Sequence, residues 1–271
     1  NVAAHSVSIG GVNAATATIT DNDAAEITMS DMTVNEDAGT VTVKINTSNE
    51  LDNDVTIDLT YVDSGLAVNG VDYTSGPASV TILAGDLSAD IVVTILDNNM
   101  IVEGDETFSI NANTVTVANS GDNTVTVTDA EGIVTIIDAD ATTVSVVSAT
   151  VAEDDGIMTI SVQTDNSYTF DKDVSVQVNL TDLTTTSGVD YDATGVTTIP
   201  ILTGASSGAM TITINTDNLV DGTEQFTATI SDLSVGATAA SSPDNTYDAS
   251  INVATETMTI TDIDQAMFSI A

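Results

Sequence analysis

Two stretches 117 residues apart constrain this chain more than anything else in it. "TITDNDAAEITMSDMTVNEDAG" (Thr18–Gly39) returns as "TIIDADATTVSVVSATVAEDDG" (Thr135–Gly156), matching Asp21 with Asp138 and Glu36 with Glu153. A shortened third copy, "TITDIDQAMFSIA", runs from Thr259 to Ala271. After the last aspartate of each DxD, apolar residues fall four and six positions on: Ile27/Met29, Val144/Val146 and Phe268/Ile270. A period this long exceeds the roughly 20–50 residues of solenoid repeats and marks whole domains. The 271 residues therefore divide into domains at 24–140 and 141–264. Residues 1–23 read as closing strands of a preceding or partner domain, and 265–271 as the opening strand of a following or partner domain. The expectation is a segment of a longer or processed polypeptide.

Within each copy the pattern is that of strands. "TVTVKINT" (Thr40–Thr47) puts Val41, Val43 and Ile45 on one face and Thr42, Lys44 and Asn46 on the other, a half-buried strand with one wet face. "DVTIDLTYV", "ASVTIL", "ADIVVTIL", "ETFSINA" and "GIVTIID" follow, separated by Gly, Asn, Asp and Ser, with counterparts in the second copy. About seven strands per domain with no capped helical period predict an all-β chain of tandem, immunoglobulin-like antiparallel β-sandwiches arranged end to end. The opening strand breaks its alternation in both copies, after Met29 and after Val146. A one-residue slip exchanges faces, so the strand is predicted to kink and cross between sheets there. Residues 113–131 read as an added hairpin, and 231–252, containing Ser241 to Asp244, as a long surface loop.

Composition narrows the partners. Forty-one Asp and Glu face two lysines and no arginine, a formal charge of −39, which repels nucleic acid and anionic membrane and makes both poor partners. No apolar run reaches the ~20 residues of a membrane span, so membrane insertion is not expected. Yet 42% of residues are hydrophobic, which is not the composition of a disordered acidic chain. Cysteine is absent, which removes disulfides and thiolate chemistry. The single histidine, His5, lies outside both repeats. With no arginine, 3% aromatics and carboxylate pairs that merely recur, the chain is not expected to be an enzyme.

The carboxylates recur by position. Glu36 is echoed by Glu153, Asp72 of "GVDY" by Asp190, and Asp97 by Asp217. Glu103 and Glu106 of "VEGDETF" are echoed by Asp221 and Glu224 of "VDGTEQF", and Asp138 and Asp140 by Asp262 and Asp264. In an antiparallel sandwich alternate connections lie at opposite ends, and these positions all fall on the end from which the chain leaves its domain. Like charges gathered there repel unless a cation intervenes. Calcium suits them, because it is hard and takes six to eight oxygens of mixed type, whereas zinc and copper favour the His and Cys that the repeats lack. Isolated acids such as Asp52, Asp54, Asp171 and Asp173 read as ordinary solvated side chains.

"VNEDAGTVTV", "GVDYT", "GPASVTILAGDLSADIVVTILDNN", "VEGDETF" and "VTIIDAD" closely resemble the Calx-beta domain. The resemblance covers nearly all of residues 24–264 in two copies, more specifically in the first. It implies Ca²⁺ ligands at Glu36, Asp72, Asp97, Glu103, Glu106, Asp138 and Asp140, and at Glu153, Asp190, Asp217, Asp221, Glu224, Asp262 and Asp264. Departures are Asp97-Asn98-Asn99 and Asp138-Ala139-Asp140, where the exchanger-type pattern runs acidic throughout, and Asp221 in place of Glu. About two to four ions per junction are implied. The family's occurrence in large bacterial surface proteins implies an extracellular or cell-surface module, stiffened by ions between repeats. The alternative is a filament subunit whose terminal strands complete identical neighbours by strand addition.

Overall fold

A computed structural model describes residues 16–17, 24–98, 101–118, 124–195, 197–236, 238–239 and 247–265. The strands expected in 1–23 and 265–271 lie almost wholly outside these residues.

Among the described residues, eleven strands build the first domain: β1 (Ala24–Met29), β2 (Met32–Asn35), β3 (Thr40–Thr47), β4 (Val55–Val62), β5 (Tyr73–Thr74), β6 (Ser79–Ile82), β7 (Ser88–Ile95), β8 (Ile101–Val102), β9 (Glu106–Val117), β10 (Thr124–Val127) and β11 (Glu131–Ile137). One sheet runs β10-β1-β3-β7-β5 and the other β2-β11-β9-β4-β6. The second domain repeats the plan with β12 (Ala141–Val147), β13 (Ala149–Ala152), β14 (Ile157–Thr164), β15 (Thr169–Phe170), β16 (Val174–Asp182), β17 (Tyr191–Asp192), β18 (Thr198–Ile201), β19 (Ser207–Ile214), β20 (Glu224–Val235), β21 (Thr238–Ala239), β22 (Asp248–Ile251) and β23 (Thr255–Thr261). Its sheets run β17-β19-β14-β12-β22 and β13-β23-β20-β16-β18, with β21 on β20. The fold is all-β, two sandwiches end to end.

The broken alternation of the opening strand is a sheet crossing in both copies. β1 pairs antiparallel with β3 in one sheet, and after Ser30 and Asp31 the chain enters the other sheet as β2, parallel to β11. β12 and β13 repeat this against β14 and β23. Each half keeps its apolar residues inward because Met29 to Met32 and Val146 to Ala149 are three positions apart, one more than the period of two, and that slip exchanges the faces at the crossing.

Two expectations are corrected. Residues 113–131 are not a hairpin: β9 continues to Val117 against β4, while β10 crosses to the other sheet and pairs parallel with β1. Residues 231–252 are not one loop, since β20 continues to Val235 and β22 pairs parallel with β12. Both excursions thus cover the free edge of the first strand, an edge that would otherwise expose unpaired N–H and C=O groups. Ser241–Asp244 lie outside the described residues.

Each core is sealed near the acidic end by an aromatic stack. Tyr73 and Phe108 lie 3.9 Å apart at 8°, and Tyr191 and Phe226 4.5 Å apart at 20°. Tyr73 follows Asp72 and Phe108 lies two residues beyond Glu106, so the stack also fixes the backbone carrying those carboxylates. The tyrosine hydroxyls donate to Asp63 (2.6 Å) and Asp182 (2.7 Å), which satisfies the polar tip of a buried ring.

The domains join through more than the linker. β15 of the second domain pairs parallel with β8 of the first, Thr169 opposite Ile101 and Phe170 opposite Val102. Val102 is fully buried and belongs to the second domain's core, not its own.

Candidate metal centres

In the first domain five connections deliver carboxylates to one place. Glu36 sits on a 3-10 turn (Glu36–Ala38) closed by Gly39 at φ 73°, a left-handed position that glycine adopts without strain. Asp72 precedes β5, Asp97 follows β7, Glu103 and Glu106 bracket the turn from β8 to β9, and Asp138 and Asp140 follow β11. Two triads result, Glu36/Asp97/Asp140 and Asp72/Glu103/Glu106, each able to bring one oxygen per residue within 4.8 Å of the others.

The backbone organises these groups. Asp138 accepts from the N–H groups of Glu103 and Asp140, both at 2.8 Å, and Glu36 accepts from that of Ala139 at 3.0 Å. The exit segment is thereby stapled to the loop before β9 and to the turn before β3. Asp72 accepts from the N–H of Val68 at 2.6 Å.

Electrostatics records the crowding. Burial is the largest cause in every case. It pushes Glu106 up to about 8, with Asp72 and Glu103 adding repulsion. It pushes Glu103 up to about 7 despite a hydrogen bond from Asn98, and Asp138 up to about 7 despite its two backbone donors. Glu36 is raised as well. A buried carboxylate so disfavoured takes up a proton or a cation.

The second domain assembles the matching set. Glu153, on the turn Glu153–Asp155 closed by Gly156, forms a triad with Asp217 and Asp264 within the same 4.8 Å. Glu153 accepts from the N–H of Asp217 at 2.6 Å, and Asp262 from those of Asp264, Gly222 and Asp221 at 2.6, 3.0 and 3.1 Å. Asp190 accepts from the N–H of Thr186 at 2.5 Å, as Asp72 does from Val68. Glu153, Asp190, Asp217, Asp221, Glu224 and Asp262 line one small cleft. Burial, then Asp190 and Asp221, push Glu224 up to about 7.

All fourteen expected carboxylates therefore lie in the two clusters. Nine form the triads; Asp138 and Asp262 brace the loops, while Asp190, Asp221 and Glu224 complete the second cleft. Two participants escaped the sequence reading. Asn98 donates its amide to Glu103, leaving Asn98 Oδ1 buried and without a hydrogen-bond partner. Asp171 belongs to the second domain yet adds repulsion at both Glu103 and Glu106. It carries a hydrogen bond from the Tyr247 hydroxyl at 2.5 Å. Neither had a signal to find, because Asn98 is neutral and Asp171 reaches the cluster only through the β8–β15 junction.

Oxygen-only donors suit a hard cation, and the orphaned oxygens suit one too. Asn98 Oδ1 and Asp264 Oδ2 are buried acceptors with no donor, which costs roughly 1–3 kcal/mol each unless a cation meets them. Fold and site together define a class: tandem β-sandwiches with carboxylate-lined ends able to hold divalent ions.

The family follows from the sequence. The Calx-beta domain model matches residues 18–140 and again 138–264, and the chain belongs to that family. Among solved structures it is similar to CBD12 from CALX1.2, at 16% identity and TM-score 0.39, over 87% of this chain and 99% of that one. It is also similar to the calcium binding domain CBD12 of CALX1.1 (14%, TM-score 0.37, 86% and 98%). The apo-form Calx CBD1 domain matches at 19% and TM-score 0.38, over 44% of this chain and 100% of that one. No curated protein sequence matches significantly.

Proposed function

We propose that this chain binds Ca²⁺ at both carboxylate clusters and uses the ions to stiffen a tandem-domain structural module. The observation that carries the reading is the pair of triads at the first domain's exit, where Glu36, Asp97 and Asp140 lie beside Asp72, Glu103 and Glu106. Those residues come from the turn before β3, the loops before β5 and after β7 and β8, and the interdomain linker. A cation there would neutralise groups that otherwise repel, and would tie the linker to the domain it leaves. Glu36, Asp97 and Asp140 would hold one ion, Asp72, Glu103 and Glu106 another, and Glu153, Asp217 and Asp264 a third in the second domain. The role is one of binding and rigidity, not catalysis.

An extracellular, cell-surface setting suits this chemistry. Extracellular calcium modules bind at roughly 10⁻⁴–10⁻³ M, matched to calcium outside cells. A tandem-repeat surface protein or adhesin is the reading adopted. A self-assembling filament built by strand addition through residues 1–23 and 265–271 is its alternative, and mass spectrometry of the native assembly separates the two.

Calorimetric titration with Ca²⁺, combined with melting in Ca²⁺ and in EGTA, tests the proposal. Ions that bind only the folded form add about 2.7 kcal/mol per site at a hundredfold excess over Kd. Saturable binding and a raised melting temperature are expected. Equal melting in calcium and EGTA would sink it.

A further inference from the structure

The junction inside this chain has two halves, and each recurs once more: the donor half exposed in the second domain, the acceptor half preformed in the first. The donor half is β8: Ile101 and Val102 lie on the loop just before Glu103, and Val102 enters the second domain's core. The counterpart in the second domain is Leu219-Val220, just before Asp221. There the two residues are 63% and 57% exposed, and no strand forms.

The acceptor half is β15, which runs into Asp171. Its geometry comes from the Phe170 carbonyl accepting from Gly204 N–H at 2.9 Å and the Asp173 carboxylate accepting from Thr203 N–H at 2.8 Å. The first domain repeats both bonds at its own head. The Leu51 carbonyl accepts from Gly85 N–H at 2.8 Å and the Asp54 carboxylate from Ala84 N–H at 2.9 Å. Glu50, Leu51 and Asp52 are thus the counterparts of Thr169, Phe170 and Asp171.

We propose that a second copy of this chain docks head to tail, with Leu219-Val220 of one copy pairing with Glu50-Leu51 of the next as β8 pairs with β15. The occupant is argued from the chain itself, because a surface with the acceptor's backbone geometry already receives the donor's equivalent within one molecule. Such a heterologous contact leaves a donor and an acceptor free at the ends of each pair, so it propagates until its rotation closes a ring or, where the rotation does not close, as an open chain. It places the next copy's Asp52 beside the second domain's cluster, as Asp171 lies beside Glu103. Calcium therefore favours association, and this dependence rests on the calcium reading above.

The absence of cysteine permits a direct test. Thr169 faces Ile101, so the equivalent pair across copies is Glu50 and Leu219. Neighbouring strands lie about 5 Å apart, within the Cα spacing a disulfide accepts. Full-length Glu50→Cys and Leu219→Cys chains, mixed in millimolar Ca²⁺ under mild oxidation, should give mainly the mixed dimer. Adding Val220→Asp to the Leu219→Cys chain should cut that yield at least about tenfold. EGTA should lower it likewise. Mixed dimer no more abundant than the two homodimers, or a yield indifferent to Val220→Asp, would overturn the docking proposal. A yield indifferent to EGTA would overturn its calcium dependence. Calcium titration of the wild-type chain in parallel reports on the calcium sites separately: binding without mixed dimer refutes the docking alone.

Discussion

Val102 offers a perturbation made in one domain and felt in the other. It is fully buried in the second domain's core although it lies on the first domain's site loop. Val102→Ala removes two carbons. At about 0.8 kcal/mol per buried carbon, plus a partly relaxed cavity, the cost is about 2 kcal/mol. For a domain of this size that lowers Tm by about 6–10 °C. Val220→Ala makes the same change at the equivalent, exposed position, and should cost less than about 0.5 kcal/mol. Calorimetry in EGTA, where copies are expected to stay apart, measures the size of the loss, and hydrogen exchange read by mass spectrometry places it. Protection should fall in β14, β16 and β20 of the second domain as well as around β8. A loss confined to the first domain, or one equal to that of Val220→Ala, would refute the reasoning.

Three other outcomes follow from the same geometry. Glu106→Gln should weaken calcium binding at the first cluster by at least about tenfold, since it deletes a charge from the Asp72 triad. It should also raise the melting temperature in EGTA at pH 8, because the removed charge was the most strongly opposed in its cluster. The pH dependence of the calcium-free chain should run opposite to that of most acidic proteins. Glu103, Asp138 and Glu224 at about 7 and Glu106 at about 8 are raised above their ordinary values, so the folded state holds more protons than the unfolded one. Their stabilisation is present in full below about pH 4 and is lost as pH rises through 7 to 8. Melting in EGTA should therefore fall between pH 5 and 8, and calcium binding in that window should release protons to buffer. Finally, Tyr73→Phe removes the hydroxyl that donates to Asp63 at 2.6 Å and should cost about 1.5–3 kcal/mol in the first domain. Denaturant melting reads this, and calcium affinity should change by less than about threefold.

Much of the fold was legible because its determinants are local and repeated. Period-two alternation located the strands, and the skipped position after Met29 and after Val146 marked the sheet crossing in both copies. The acidic end could be placed because alternate connections of a sandwich share an end. What stayed hidden depends on partners rather than on pattern. "TVTV" at Thr124–Val127 alternates equally well as a hairpin arm or as a strand crossing to β1, and only the uncovered β1 edge decides between them. Val102 and Val220 occupy nearly the same motif, yet one is buried in a neighbouring core and the other is exposed. Asp171 looks like the solvated Asp173 two residues on, until the β8–β15 pairing brings it beside Glu103. Asn98 is uncharged, and its orphaned oxygen is visible only in three dimensions.

The central claim is that these carboxylates hold calcium, and diffraction from crystals grown in millimolar Ca²⁺ tests it most directly. Anomalous density is predicted within the Glu36/Asp97/Asp140, Asp72/Glu103/Glu106 and Glu153/Asp217/Asp264 triads. Distances of roughly 2.3–2.6 Å to their oxygens would identify the ion as calcium. Triads without density at saturating calcium, with their carboxylates turned apart or sharing protons, would contradict it.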